Sequence, residues 1–92
     1  MEIKILGLGC AECNLLYENV RRAVEELGMI TEITHVNDIK AIMEYDVMIT
    51  PALAVNNRTK CQGIVPEVRE IKKMLMQERS MLGKAMVVSQ KM

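Results

Sequence analysis

Two thiols stand three residues apart in Gly9-Cys10-Ala11-Glu12-Cys13, at a point where the pattern of the chain changes. The apolar run Ile3-Lys4-Ile5-Leu6 precedes them and a helical periodicity follows, so both sulfurs are expected at a strand-to-helix junction. The first turn of a helix offers unpaired N–H groups and a partial positive charge, and both favour a thiolate over a thiol. Cys10 is therefore the expected nucleophile. Cys13 falls about one turn later, within disulfide reach of Cys10, and is the expected sheltered, resolving partner. The expected chemistry is thiol-disulfide exchange, which requires no metal and no organic cofactor, with soft-metal binding by the two thiolates as the alternative. Glu12 puts a negative charge beside the pair and tempers any lowering of the thiol pKa, which points to a reductant or exchange protein and away from a strong oxidant.

The rest of the composition narrows the class of protein. With 92 residues, half of them apolar, the chain suits one compact domain. Its 12 basic residues balance its 12 acidic ones, so no net field draws it to nucleic acid or to an anionic membrane. The N-terminus, Met1-Glu2-Ile3-Lys4, has no secretory leader pattern, and no apolar run approaches the roughly 20 residues of a membrane span. A cytoplasmic location is the default expectation. Three cysteines make an odd set, unlike the dense even framework of a small secreted scaffold, so a CxxC in a reducing compartment reads as chemical.

The elements that must hold the pair follow in order. Residues 2–8 read as a buried first strand, with Gly7 and Gly9 allowing a tight approach to the cysteines. From Ala11 to Leu27, the positions Leu15, Leu16, Val20, Ala23, Val24 and Leu27 keep helical spacing, and Gly28 is a natural stop. Met29 to Val36 reads as a second strand, and a strand-helix-strand unit favours a parallel pair. Asn37 and Asp38 can cap a short helix running to about Tyr45, with Ile39, Ile42 and Met43 facing the core. Ala52-Leu53-Ala54-Val55 forms a third strand, and Asn56-Asn57 turns the chain into a fourth at about Thr59 to Gln62, giving an antiparallel hairpin. Pro66 and Glu67 suit the first turn of a last helix whose inner stripe is Val68, Ile71, Met74 and Leu75, extended by Met81 and Leu82. The predicted fold class is α/β, βαβαββα, with a four-stranded mixed sheet flanked by three helices. Residues 1–79 form the domain. Residues 80–92 form a C-terminal tail, a helix extension or a disordered end, with Gly83 expected to end or interrupt the helix.

With a CxxC after the first strand, Ile49-Thr50-Pro51 before the third, and this order of elements, the chain resembles the thioredoxin superfamily over about residues 2–78. It looks most like the small, glutaredoxin-sized branch of redox-active disulfide proteins. The resemblance implies a cis bond before Pro51, opposite the CxxC, with the Thr50 backbone pairing with an extended peptide substrate; Thr50 and Pro51 are thus the implied substrate-binding residues. It also implies protein disulfides as substrates and a separate reductase to reset the pair. Three features depart from the family pattern: Ala-Glu lies between the cysteines, no aromatic residue precedes Cys10, and Leu8-Gly9 and Gln62-Gly63 stand where glutathione-using members carry a basic residue and Gly-Gly. The last of these weighs against glutathione as a partner.

Other residues read more plainly. Cys61 fits a small buried hydrophobe on the fourth strand better than a third redox sulfur. His35 has no assigned role. The nine methionines, with no phenylalanine or tryptophan, suggest a core filled by flexible thioethers. Tyr17 packs on the first helix or lines the rim of the site. Two rivals remain for the whole chain. Gly7-Leu8-Gly9-Cys10-Ala11-Glu12-Cys13 is similar to the loop of small copper carriers, since paired thiolates suit a soft monovalent metal, but that fold runs βαββαβ and ends on a strand. The other rival is a non-catalytic binding module that uses the Thr50 edge. No partner copy is called for, and a monomer is expected.

Overall fold

The computed structural model describes residues 1–9 and 11–91, with side-chain surroundings for 1–9 and 11–79. The elements follow as β1 (Ile3–Leu6), α1 (Ala11–Glu26), β2 (Ile33–Val36), α2 (Ile39–Met43), β3 (Ala52–Val55), β4 (Arg58–Gln62) and α3 (Val68–Lys91). The four strands form one mixed sheet in the order β2-β1-β3-β4. β1 and β2 run parallel, from Ile3 opposite Ile33 to Leu6 opposite Val36, while β1 with β3 and β3 with β4 are antiparallel. This is the α/β, βαβαββα arrangement expected from the sequence.

Alternation along the central strands divides the core into two layers. Ile3 and Ile5 of β1 and Leu53 and Val55 of β3 face one side, where Leu16, Val20, Ala23 and Val24 of α1 and Ile71 and Leu75 of α3 cover them. Leu6, Ala52 and Ala54 face the other side, under Ile42 and Val47. Burying each large aliphatic side chain contributes roughly 1.5–3 kcal/mol, so the larger layer dominates cohesion. Polar ties join α1 to α3 and to the loop before it: Asn19 Nδ2 donates to the Pro66 carbonyl at 3.0 Å, and Lys72 Nζ donates to Glu26 at 2.8 Å.

Several expectations change. Backbone pairing confines the first strand to Ile3–Leu6, leaving Gly7 to Gly9 as a loop, and confines the second to Ile33–Val36. Of the three α2 residues expected in the core, only Ile42 is buried; Ile39 and Met43 are exposed. The helix has five residues, little more than one turn, and one turn can set only one position against the sheet. Leu15 also lies outside, 53% exposed, on the solvent side of α1. Pro66 precedes α3 by two residues, with the Glu67 carbonyl accepting the Ile71 N–H at 3.0 Å as the helix opens. None of the described methionines belongs to the buried core, which is built of isoleucine, leucine, valine and alanine together with Cys13. Branched side chains on the pleated strands fill that space with stiffer rotamers than a thioether could. Gly83 lies inside α3, whereas the side chains of Met81 and Leu82 lie outside the described residues. Among the described residues, no helix is long and apolar enough to cross a membrane.

Candidate active site

The candidate site lies at one end of the sheet, where β1 and β2 finish and β3 begins. The Gly7 N–H donates to the Val36 carbonyl at 2.9 Å, closing the parallel pair. The chain then passes Leu8 and Gly9 and opens α1 at Ala11. Gly9 has φ +88°, a left-handed conformation that glycine adopts without cost. Cys10, the expected nucleophile, lies outside the described residues; in sequence it immediately precedes Ala11. Cys13, on the first turn of α1, is completely buried. A Cβ placed on Gly7 would overlap Cys13 Sγ, lie 3.4 Å from Cys13 Cβ and lie 3.9 Å from Pro51 Cα. Only hydrogen at Gly7 therefore leaves room for the Cys13 sulfur beside the Pro51 backbone.

Thr50-Pro51 enters β3 through a cis peptide bond, with Pro51 buried and Thr50 exposed. The segment is held from β4. Gln62 pairs with Ala52 across the hairpin, and its side-chain Oε1 accepts the N–H groups of Met48 at 2.8 Å and Ile49 at 3.2 Å. The next residue, Gly63, donates its N–H to the Pro51 carbonyl at 2.8 Å and has φ +76°. A Cβ there would approach Ile49 Cγ2 to 2.9 Å. The structure thus brings Cys13, Gly7, Thr50 and Pro51 to one end of the fold. Gln62 is the contributor that sequence reading missed, because an outward polar residue at a strand end carries no local signal. Leu8, Met48, Ile49 and Ile64 are exposed apolar residues in the loops that flank this end.

Cys61 is the third thiol of the chain. It lies on β4 opposite Leu53, half-buried against the larger core layer. Burial pushes its thiol pKa up, and the charge of Glu70 adds to that, while a backbone hydrogen bond at Leu53 opposes both. A thiol held protonated in this way is a weak nucleophile. His35 is exposed on β2, and Tyr17 is half-buried against the α1 side of the core.

Comparison with known proteins fits this geometry. The family model described as "Thioredoxin domain" matches residues 1–76. The chain belongs to the thioredoxin family. It is 47% identical over 73 residues to a thioredoxin of Methanocaldococcus jannaschii, covering 79% of this chain and 84% of that protein. It is 41% identical over 75 residues to a thioredoxin of Methanothermobacter thermautotrophicus, covering 82% and 97%. As a thioredoxin-family protein it is a thiol-disulfide oxidoreductase. The copper-carrier alternative required a βαββαβ order, which this chain does not have.

Proposed function

We propose that the protein reduces or exchanges protein disulfides with Cys10 as nucleophile and Cys13 as resolving thiol. The Cys10 thiolate attacks one sulfur of the substrate disulfide. A Cys10–substrate S–S bond forms, the substrate S–S bond breaks, and the departing thiolate takes up a proton. Cys13 then loses its proton and attacks the Cys10 sulfur, which releases the second substrate thiolate. The substrate gains two electrons and two protons, the Cys10-Cys13 pair becomes a disulfide, and an external dithiol or reductase resets it. No metal or organic cofactor takes part. Thr50 and Pro51 hold the substrate chain as an added strand through backbone groups, so specificity for side chains is broad. Protein disulfides fit this role better than glutathione, since Leu8-Gly9 and Gln62-Gly63 supply neither the basic group nor the paired glycines. A reducing compartment, the cytoplasm, suits the pair, and the chain acts as a monomer.

The observation that carries this reading is the convergence of the buried Cys13 sulfur, Gly7 and the Pro51 backbone at one end of the sheet. The test is the single-turnover reduction of insulin disulfides by the pre-reduced protein. Cys10→Ser should slow it on the order of 10³-fold, as loss of a nucleophile does. Cys13→Ser should instead accumulate a substrate adduct on Cys10, visible by mass spectrometry. Parental activity in Cys10→Ser would refute the assignment.

A further inference from the structure

We infer that Gln62 is a positioning residue for substrate capture: it fastens the segment leading into Thr50 so that the Thr50 peptide groups are presented in one geometry. The inference rests on the proposed function, with Cys10 as nucleophile and Thr50-Pro51 as the substrate-binding backbone. Thr50 lies between two anchored neighbours. On its N-terminal side, the Met48 and Ile49 N–H groups both donate to Gln62 Oε1, at 2.8 and 3.2 Å. On its C-terminal side, the Pro51 carbonyl accepts the Gly63 N–H at 2.8 Å. Both anchors come from one dipeptide at the end of β4, and Gln62 is in register with Ala52, two residues after Thr50. Among the described residues, Thr50 itself makes no hydrogen bond and is exposed, so its peptide groups remain available to an incoming strand.

The chemistry of the anchor is specific. Two adjacent N–H donors converge on one oxygen, so the position requires an acceptor that can reach about one residue beyond the hairpin edge. Glutamate retains that acceptor. Leucine keeps most of the side-chain bulk and loses it. A flexible 48–50 segment would have to be ordered each time a substrate strand docks, and that ordering cost appears in binding rather than in the sulfur chemistry. A small disulfide that makes no strand contact avoids this cost.

The experiment uses the full chain in a Cys61→Ala background, pre-reduced and followed by stopped flow. It compares insulin with 5,5′-dithiobis(2-nitrobenzoate) for the parent, Gln62→Leu, Gln62→Glu and Cys10→Ser. Gln62→Leu should raise the half-saturating insulin concentration about tenfold, with the limiting rate and the rate on the small disulfide within about twofold of the parent. Gln62→Glu should restore the insulin value. Amide hydrogen exchange at residues 48 and 49 should quicken in Gln62→Leu and return in Gln62→Glu. Equal loss on both substrates, or no change on insulin, would overturn the inference. Cys10→Ser separates the two claims: if it remains active the underlying reading fails, whereas if it is inactive and Gln62→Leu behaves as the parent, only the role of Gln62 fails.

Discussion

At the residue scale, Gly7 decides how closely the Cys13 sulfur can approach the Pro51 backbone. The space a methyl group would need there is already occupied by Cys13 Sγ, and Cys13 is itself completely buried. Gly7→Ala should therefore cost about 1–3 kcal/mol, the usual penalty for overpacking a filled site, read as a lower midpoint in urea unfolding of the reduced protein. An unchanged midpoint would mean that the first turn of α1 yields without cost. At Cys61 burial and the charge of Glu70 raise the thiol pKa, which weakens that sulfur as a nucleophile.

At the element scale, α3 is tied to the β3-β4 hairpin by one carboxylate. The register shift between Leu53 and Ala54 leaves Lys60 as the extra residue of β4, and such a bulge re-aims side chains. Lys60 pairs with Glu78 of α3, Arg58 lies 3.9 Å from the same oxygen, and Asn56 Nδ2 donates to the other at 3.4 Å. The hydrogen bond from Lys60 is the largest cause holding the Glu78 carboxyl below its usual 4.5; burial opposes it, and Asn56 and the nearby cations support it. A carboxyl whose folded pKa is depressed binds fewer protons than it does in the unfolded chain. Its stabilisation is therefore present above the unfolded value and is lost as pH falls through the folded one. Glu78→Gln should lower stability by about 1–3 kcal/mol at neutral pH and flatten the loss of stability as pH falls through and below the usual carboxylate value of 4.5, measured by urea unfolding across that range. An acid limb parallel to the parent's would show that this carboxylate is not the group responsible.

At the scale of the whole molecule, acidic and basic residues cancel, and the loops flanking the site carry Leu8, Met48, Ile49 and Ile64 exposed. Capture of a protein substrate should then owe little to long-range attraction. Raising salt from about 50 to about 500 mM should change kcat/KM on insulin by less than about threefold, since charges beyond a Debye length of each other are already screened over much of that range. A steep fall with salt would reveal local charge steering that the net balance conceals.

Much of this molecule could be read from local patterns. The 3.6-residue spacing of Leu16, Val20, Ala23 and Val24 and the Asn56-Asn57 turn lead to the fold, because periodicity and turn chemistry act between near neighbours, and the position of Cys10-Ala11-Glu12-Cys13 between strand and helix singles out the candidate thiols. Other features depend on what packs against what. Ile39 and Met43 have the spacing of a buried face, yet nothing in their own sequence states that α2 is too short to bury them. The methionine count suggests a thioether core, but the strands deliver enough branched aliphatic side chains to fill it. Gln62 and Glu78 look like ordinary surface polar residues until the hairpin brings one to the Met48-Ile49 amides and α3 brings the other to Lys60. Local patterning was enough for the order of elements and the family, whereas the groups that hold the 48–51 segment emerge only from packing, since the bonds from Gln62 and Gly63 join residues far apart in the chain.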